Sequence, residues 1–218
     1  MARAAEAVSL TLGEVTLDGD LVLPRDARGV VAFAHGSGSS RHSPRNRAVA
    51  GVLQEAGLGT LLMDLLTAAE ERVDMVTAEL RFDVPLLGRR VSGAVDWLRD
   101  RPDTGGLPVG LFGASTGAAA ALVAAAARPE RVRAVVSRGG RPDLAGAVLA
   151  DVRAPVLLVV GGHDQEVLRL NEEAARRLTA PCALRVIPGA THLFEEPGTL
   201  EQAADAAREW FLRMGGQP

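Results

Sequence analysis

Residues 108–127 read PVGLFGASTGAAAALVAAAA, and this stretch decides the fold. Residues 108–112 have the apolar character of a buried strand, and residues 118–127 have the alanine-rich character of a helix. Between them lies Gly113-Ala114-Ser115-Thr116-Gly117. A serine at such a strand-to-helix turn needs small neighbours, because the backbone there is strained and leaves no room for side chains. The stretch therefore predicts a nucleophile elbow with Ser115 at its tip.

Short apolar runs alternate with helical patterns on both sides of this stretch. They lack polar alternation, as expected of strands that are buried on both faces of a parallel sheet. Before residue 24, alternating residues predict two or three antiparallel strands with turns at Gly13 and at Asp18-Gly19. The sequence predicts an α/β fold with a mostly parallel, doubly wound sheet and an antiparallel N-terminal edge. The strands predicted after residue 24 are residues 29–34, 58–63, 109–112, 132–136, 155–160 and 184–187.

Capping residues mark the ends of several predicted helices. Ser43-Pro44 supplies an N-cap and a first-turn proline, and Gly57 supplies the stop for the same helix. Asp83 caps a second helix, and residues 199–202 fit a capping box for the last one. The helices after Asp83 and after residue 199 carry an apolar stripe on one side, which predicts packing on the sheet.

Composition limits the classes of function. The chain has 218 residues, 24 basic and 27 acidic side chains and a formal net charge of −3, and we expect one domain over residues 1–218. Aromatic residues make up only 3% of the chain, so nucleic-acid binding is disfavoured. The chain start has no apolar signal segment, and no apolar run is long enough to cross a bilayer. We therefore predict a cytoplasmic protein with a small-molecule partner and no membrane partner.

Two further loops at strand ends supply candidate catalytic residues. Asp164 follows the predicted strand 155–160 after a Gly-Gly turn, and His192 follows the last predicted strand. Because the carboxyl ends of parallel strands meet at one edge of the sheet, Ser115, Asp164 and His192 should lie together. The histidine would take the serine proton, and the aspartate would hold its tautomer. Asp143 is the alternative acid, although its place before an apolar pattern is more typical of a helix N-cap.

The segment His35-Gly36-Ser37-Gly38-Ser39-Ser40 follows another predicted strand. A Gly/Ser loop at a strand end can turn backbone N–H groups toward a tetrahedral oxyanion. The backbone N–H groups of Ser37 and Thr116 are therefore the candidate oxyanion hole. A phosphate-binding loop is the competing interpretation, but the chain lacks both the P-loop lysine pattern and a G-x-G-x-x-G pattern.

The remaining histidines and the cysteine indicate structural roles. Four histidines and one cysteine show none of the usual ligand spacings, so we expect no metal and no other cofactor. Cys182 cannot form an internal disulfide and is expected to be a small apolar residue at the start of a buried strand. His35 is expected to hydrogen-bond within its own loop, and His42 to lie on the surface where a helix begins.

Together these motifs resemble the dienelactone hydrolase family of the α/β-hydrolase superfamily. The resemblance rests on the segments at 35–40 and 113–117, on Gly161-Gly162-His163-Asp164 and on Gly189-Ala190-Thr191-His192, in this order. It implies an α/β-hydrolase fold with the Ser, Asp, His order of triad residues. Under twenty residues separate the predicted strands 132–136 and 155–160, which is too short for the large helical cap domain that many related enzymes insert there.

The nucleophile departs from the founding members of this family, which use a cysteine where this chain has Ser115. A serine favours short-chain carboxylic esters or small lactones over dienelactone itself, with thioesters as further candidates. An acyltransferase with the same triad is one alternative, because the sequence does not decide whether water or an alcohol attacks the acyl-enzyme. A non-catalytic, ligand-binding member of the fold is another.

Arg138 is a candidate substrate-binding residue. It ends the predicted strand next to that of Ser115, which places its guanidinium near the mouth of the site. An arginine there can form a bidentate pair with a substrate carboxylate. The alternative is a structural ion pair with Asp143 or with another acid such as Asp64, and the sequence leaves both the substrate-binding role and the ion pair open.

Overall fold

The computed structural model describes residues 5–215 and has an eight-stranded sheet at its centre, in the order β1-β2-β4-β3-β5-β6-β7-β8. β2 pairs antiparallel with β1 and with β4, and every other pairing is parallel. This confirms the mostly parallel sheet with an antiparallel N-terminal edge. The strands are β1 (Glu6–Leu12), β2 (Val15–Val22), β3 (Val30–Ala34), β4 (Gly59–Met63), β5 (Val109–Ala114), β6 (Val132–Arg138), β7 (Val156–Gly161) and β8 (Cys182–Ile187).

Helices cover both faces of the sheet. α3, α4 and α5 pack on one face, and α1 and α6 pack on the other. β6 connects to β7 through a 3-10 segment (Pro142–Asp151), so no cap domain is inserted at that point, as predicted. No helix between residues 5 and 215 is both long and apolar enough to span a membrane. The helices are α1 (Pro44–Glu55), α2 (Ala68–Thr77), α3 (Val84–Asp100), α4 (Gly117–Ala127), α5 (Gln165–Arg177) and α6 (Thr199–Leu212).

The central strands are buried on both faces, which explains their lack of polar alternation. Successive residues of β3 point to opposite faces, so Ala32 joins the core under α3 and α4, and Phe33 joins the core under α1 and α6. Phe33 contacts Phe112 of β5, with ring centroids 4.8 Å apart. The strands β3 and β5, which carry the candidate site, therefore have one of the two cores on each face.

The predicted turn at Asp18-Gly19 is wrong, because β2 runs without interruption from Val15 to Val22. Gly19 pairs with Val8 on one side and with Met63 on the other. A Cβ at Gly19 would lie 2.9 Å from a methyl group of Leu10, so a glycine fits here because of packing inside the sheet.

β8 differs from the prediction of burial on both faces. Among the described strands it pairs only with β7, and the side chains of Leu184 and Val186 are exposed at 36% and 41%. An edge strand has a neighbour on one side only, which leaves part of its apolar surface uncovered. Cys182 begins this strand as predicted but is only partly buried, and burial raises the pKa of its thiol.

Gly57 ends α1 in a left-handed conformation, as predicted, and of the four predicted N-caps two are confirmed and two are wrong. Ser43 accepts a hydrogen bond from the Asn46 N–H at the start of α1, and Asp83 caps α3 in the same way. At α6, however, Gly198 occupies the N-cap position and Thr199 is already helical, so the predicted capping box does not form. Asp143 lies inside a 3-10 segment and caps no helix.

Candidate active site

The elbow between β5 and α4 carries Ser115 in a left-handed backbone conformation, with a φ of 50°. A non-glycine residue there stores about 1–3 kcal/mol of strain, which the surrounding structure must hold. The Ser115 N–H donates to the Arg138 carbonyl at 3.2 Å, and the Arg141 N–H donates to the Ser115 carbonyl at 3.0 Å. The end of β6 and the residues that follow it therefore clamp the elbow in place.

The two glycines of the motif are required by close backbone approach. A Cβ at Gly117 would lie 2.2 Å from the Ala34 carbonyl oxygen. A Cβ at Gly113 would lie 2.4 Å from the Cα of Ala118. A side chain at Gly117 would push α4 away from β3, and a side chain at Gly113 would push α4 away from β5.

His192 and Asp164 come together from the loops after β8 and β7. The His192 Nδ1 lies 2.6 Å from Asp164 Oδ2, and the side chains are 39% and 15% exposed, respectively. The two loops are joined by backbone bonds, since the His163 N–H donates to the Ala190 carbonyl at 2.9 Å. With Nδ1 bound to the carboxylate, the Nε2 of His192 is the ring nitrogen left for chemistry.

Asp143, the alternative acid, does not reach His192. Its two carboxylate oxygens accept hydrogen bonds from the Arg141 guanidinium at 2.9 and 2.8 Å. The structure therefore pairs the histidine with Asp164.

Ser115 and His192 line one cavity of about 270 Å³ at the carboxyl edge of the sheet. Ser115 enters it from the elbow and His192 from the last loop, as the strand order predicts. The start of α1 forms the far wall. The other lining residues are Gly36, Ser37, Ser39, Ser43, Arg45, Asn46, Ala114, Arg138, Gly139 and Leu193.

His35 holds the loop after β3 in shape. Its Nδ1 lies 2.9 Å from the Gly36 carbonyl oxygen, and its Nε2 accepts from the Leu65 N–H at 3.2 Å. These partners fix the neutral tautomer with the proton on Nδ1. Burial lowers the pKa of His35, and the hydrogen bond to the Gly36 backbone, followed by the charges of Asp64 and Glu71, opposes this effect. The predicted hydrogen bond of His35 within its loop is confirmed.

The two predicted oxyanion donors are neighbours, but one is already engaged. The Ser37 N–H donates to the Thr116 hydroxyl oxygen at 2.9 Å. Thr116 directly precedes α4, where the first N–H groups of a helix lack intrahelical partners. An oxyanion bound at Ser37 would therefore compete with the Thr116 hydroxyl for the same N–H.

Arg138 ends β6 and is 6% exposed. Neither acid of the predicted ion pair reaches it, because Asp143 pairs with Arg141 and Asp64 pairs with Arg41. That structural alternative is wrong. The Arg138 Nη2 donates to Asn46 Oδ1 at 3.4 Å, and its Nε is buried without a partner in the described part of the chain. Burial, with a smaller contribution from Arg45, lowers the pKa of Arg138 to about 10, so the group stays charged at neutral pH.

Arg45 and Asn46 are site residues that sequence reasoning missed. Both lie in the first turn of α1, and both line the cavity with Ser115. A signal for them existed, because Ser43-Pro44 marks a helix start just after the loop at the end of β3. A helix that follows a parallel strand begins at the carboxyl edge of the sheet, where the site lies.

The loop of residues 35–40 after β3 is called the Ser37 loop. A second cavity, of about 310 Å³, lies on the other side of this loop and has an acidic lining. Its acids are Asp64, Glu71 and Asp74, and its Arg81 is bound to Asp74 at 2.7 Å. Within residues 5–215, no group of three or more His, Cys, Asp or Glu side chains is arranged to hold a metal ion.

Comparisons with known proteins agree with this architecture. A family model described as the dienelactone hydrolase family matches residues 25–214. A crystal structure of a dienelactone hydrolase from Anabaena variabilis is 59% identical, with a TM-score of 0.96 over 98% of this chain and 99% of that one. Est1E from Butyrivibrio proteoclasticus is 17% identical, with a TM-score of 0.79 over 95% and 98%, which shows a shared fold.

Two Mycobacterium tuberculosis proteins are 58% identical to this chain over 207 residues and are named provisionally as phosphoribosyl transferases. The match covers 95% of this chain but 46% of theirs. The chain therefore spans about half the length of these curated relatives.

The elbow geometry predicts the effect of a single methyl group. Gly117→Ala should lower the free energy of unfolding by about 1–3 kcal/mol, because overpacking against the β3 backbone forces a shift. Urea denaturation measures this change. The matched control is Gly51→Ala in α1, where a Cβ meets no atom within 4 Å. That change should stabilise the protein by about 0.5–1 kcal/mol, and equal effects of the two substitutions would contradict the elbow packing.

The lowered pKa of His35 predicts a pH dependence of stability. The unfolded chain takes up a proton near the ordinary pKa of 6.5, whereas the folded chain resists protonation until a lower pH. The free energy of unfolding should therefore fall as the pH drops below 6.5, down to the pKa of the folded state. Urea denaturation between pH 7.5 and 5 measures this slope, which should be smaller in His35→Gln. An identical slope in wild type and variant would contradict the assignment.

Proposed function

The chain belongs to the dienelactone hydrolase family, and from this we propose that it is a serine hydrolase that cleaves small carboxylic esters, lactones or thioesters. Ser115 is the nucleophile, His192 the base and Asp164 the acid of the triad. One observation carries the proposal: Ser115, on a strained elbow, lines the same cavity as His192, whose Nδ1 is bound to the partly buried carboxylate of Asp164. The family membership supports a hydrolase, and these three residues would supply the nucleophile, the base and the carboxylate that the reaction needs.

In the first half of the proposed reaction, the Ser115 Oγ attacks the substrate carbonyl carbon. The hydroxyl proton passes to the Nε2 of His192, and the carbonyl π electrons move to the oxygen to give a tetrahedral oxyanion. Asp164, bound at Nδ1, stabilises the imidazolium that forms. Collapse of the oxyanion breaks the bond to the leaving group, which takes the proton from His192 and departs as an alcohol or thiol.

In the second half, water attacks the acyl-enzyme. His192 takes a proton from the water and returns it to the Ser115 Oγ as the acid product leaves. The net reaction is hydrolysis, and the enzyme is regenerated. An alcohol in place of the water would make the same residues an acyltransferase, and product analysis in the presence of added alcohol distinguishes the two.

The N–H groups of Ser37 and Thr116 are the proposed oxyanion donors. Their adjacency and the position of Thr116 immediately before α4 support the assignment. For Ser37 to act, the Thr116 hydroxyl must give up the N–H that it accepts in the free protein. The charge of an oxyanion favours this exchange, since hydrogen bonds to charged acceptors are about twice as strong as neutral ones.

The size of the cavity and the short β6–β7 connection support a small substrate. A volume of about 270 Å³ is near the lower end for ligand pockets, and no cap domain at that connection extends it. Short acyl groups or small lactones suit this space. A cytoplasmic location also remains part of the proposal.

The proposed nucleophile and base have a direct test. Ser115→Ala and His192→Ala should each lower kcat/KM for p-nitrophenyl acetate by at least about 10³-fold, because triad members act as a unit. Wild-type protein treated with a fluorophosphonate probe should carry the label on Ser115 after peptide mapping. Circular dichroism checks that both variants fold. Near-native turnover by folded Ser115→Ala protein would rule out the serine-hydrolase mechanism.

The identity of the acid is tested with two asparagine substitutions. Asp164→Asn keeps the size of the side chain but removes the charge that holds the tautomer of His192, so kcat should fall by about 10³–10⁴-fold. The control is Asp143→Asn, which disturbs only the pair with Arg141 and should leave kcat close to that of wild type. A large loss of kcat in the Asp143 variant, with little loss in the Asp164 variant, would reverse the assignment.

A further inference from the structure

The buried charge of Arg138 has no counterion in the part of the chain that the structure describes. In residues 5–215, the only hydrogen bond of its side chain joins Nη2 to Asn46 Oδ1 at 3.4 Å, and the centroid of the Phe194 ring lies 5.5 Å from its guanidinium carbon. The Nε is buried and unpaired. A buried cation without an anion is costly to keep, and proteins normally pair it with a carboxylate or a ligand. Arg138 lines the cavity that holds Ser115, so an anion that enters this cavity can reach the guanidinium.

A second cation faces the same space from α1. The Arg45 side chain lines the cavity, and its closest acid is Glu195 at 3.5 Å, in an exposed pair. Such exposed pairs contribute little, so Glu195 does not neutralise the cavity. The first turn of α1 also presents the positive end of a 12-residue helix. Two guanidinium groups and a helix N-terminus therefore converge on the cavity.

The surrounding charges reinforce this arrangement. Within the described part of the chain, no acidic residue lines the cavity of Ser115, whereas the second cavity across the Ser37 loop is lined by three acids. An anion is therefore attracted more strongly to the first cavity than to the second. Ser43 and Asn46, at the start of α1, add polar groups to the cationic wall.

We infer that this wall of Arg45, Asn46 and Arg138 binds a phosphate group carried by the substrate. The inference rests on the proposed function and names the class of ester: small esters or lactones that bear a phosphate monoester. Two guanidinium groups match the charge of a phosphate dianion, which is close to −2 at neutral pH, better than that of a carboxylate. Donors that approach from two elements, β6 and α1, also suit a tetrahedral anion better than a planar one.

The position of Arg138 sets the distance between the phosphate and the scissile bond. Arg138 pairs with Ala114 across β5 and β6, and Ala114 directly precedes Ser115. Neighbouring strands lie about 4.8 Å apart, so the anion would sit within a few bonds of the reacting carbonyl. Arg45 and Arg138 would then act as substrate-binding residues that orient the ester on Ser115.

Binding can be tested without turnover. Ser115→Ala protein should bind inorganic phosphate in isothermal titration calorimetry at constant ionic strength. Adding Arg138→Gln or Arg45→Gln should weaken that binding at least tenfold. The matched control is Arg47→Gln, which removes the same charge from the exposed side of α1, where Arg47 pairs with Asp20 at 3.3 Å. Absence of phosphate binding, or unchanged affinity in both cavity variants, would overturn the inference, as would acetate competing as well as phosphate.

Thermal stability provides a readout that a merely structural arginine would not give. Arg138→Met should have a melting temperature equal to or above that of wild type without phosphate, because an unpaired buried charge is removed. Added phosphate should raise the melting temperature of wild type but not of the variant. A lower melting temperature for the variant, with phosphate stabilising both proteins equally, would make Arg138 a structural residue. Arg45→Gln, on the partly exposed start of α1, repeats the phosphate test independently of the core.

Kinetics separates this inference from the proposed function. Three matched esters, with a phosphate, a carboxylate or a neutral group on the acyl part, should be hydrolysed by wild type with the highest kcat/KM for the phosphate ester. Arg138→Gln should lose that preference mainly through KM. Hydrolysis without any preference for the phosphate ester would overturn the inference but leave the serine hydrolase intact. Phosphate binding without hydrolysis of any ester would keep the anion site and overturn the hydrolase.

Discussion

The backbone of Ser115 is held in the left-handed region at a φ of 50°, and the candidate site is built around this constraint. The strain persists because the Ser115 N–H and carbonyl are both hydrogen-bonded to the segment around Arg138, and because Gly117 lets α4 approach the β3 backbone. The same contacts fix the neighbours of the serine. The Ser37 loop follows β3, and Arg138 is the last residue of β6. The strained turn and the surrounding site are therefore one packed unit.

The two histidines near the elbow differ in their hydrogen-bond partners. His35 is locked between the Gly36 carbonyl and the Leu65 N–H, so it is neutral and shapes the loop. His192 has its Nδ1 on a carboxylate and its other nitrogen available at the cavity. Hydrogen-bond partners, more than position in the sequence, determine whether a histidine can exchange protons.

The charged residues differ across the Ser37 loop: arginines without acids line the cavity of Ser115, whereas three acids and one arginine line the second cavity. Arg138 keeps a buried charge that no carboxylate of residues 5–215 compensates. The proposed binding of an anion would explain why the protein tolerates this cost. Stability given up at a site of this kind is a common consequence of function. The charges that line the cavity therefore indicate the class of ligand more directly than the shape of the cavity does.

The sequence by itself determined the parallel sheet, the elbow at Ser115 and the loops of Asp164 and His192, because apolar runs, small residues and caps act locally. The sequence-based prediction was wrong about the turn at Gly19 and about the burial of β8. Both depend on which strands lie beside a given strand in the sheet, and the residues of one strand do not specify its neighbours. Only the tertiary structure shows that the Asp164 carboxylate, which the sequence favoured, is the one bound to His192, that no ion pair reaches Arg138 within residues 5–215 and that Arg45 lines the cavity. These depend on distances between residues far apart in the chain, which packing alone decides.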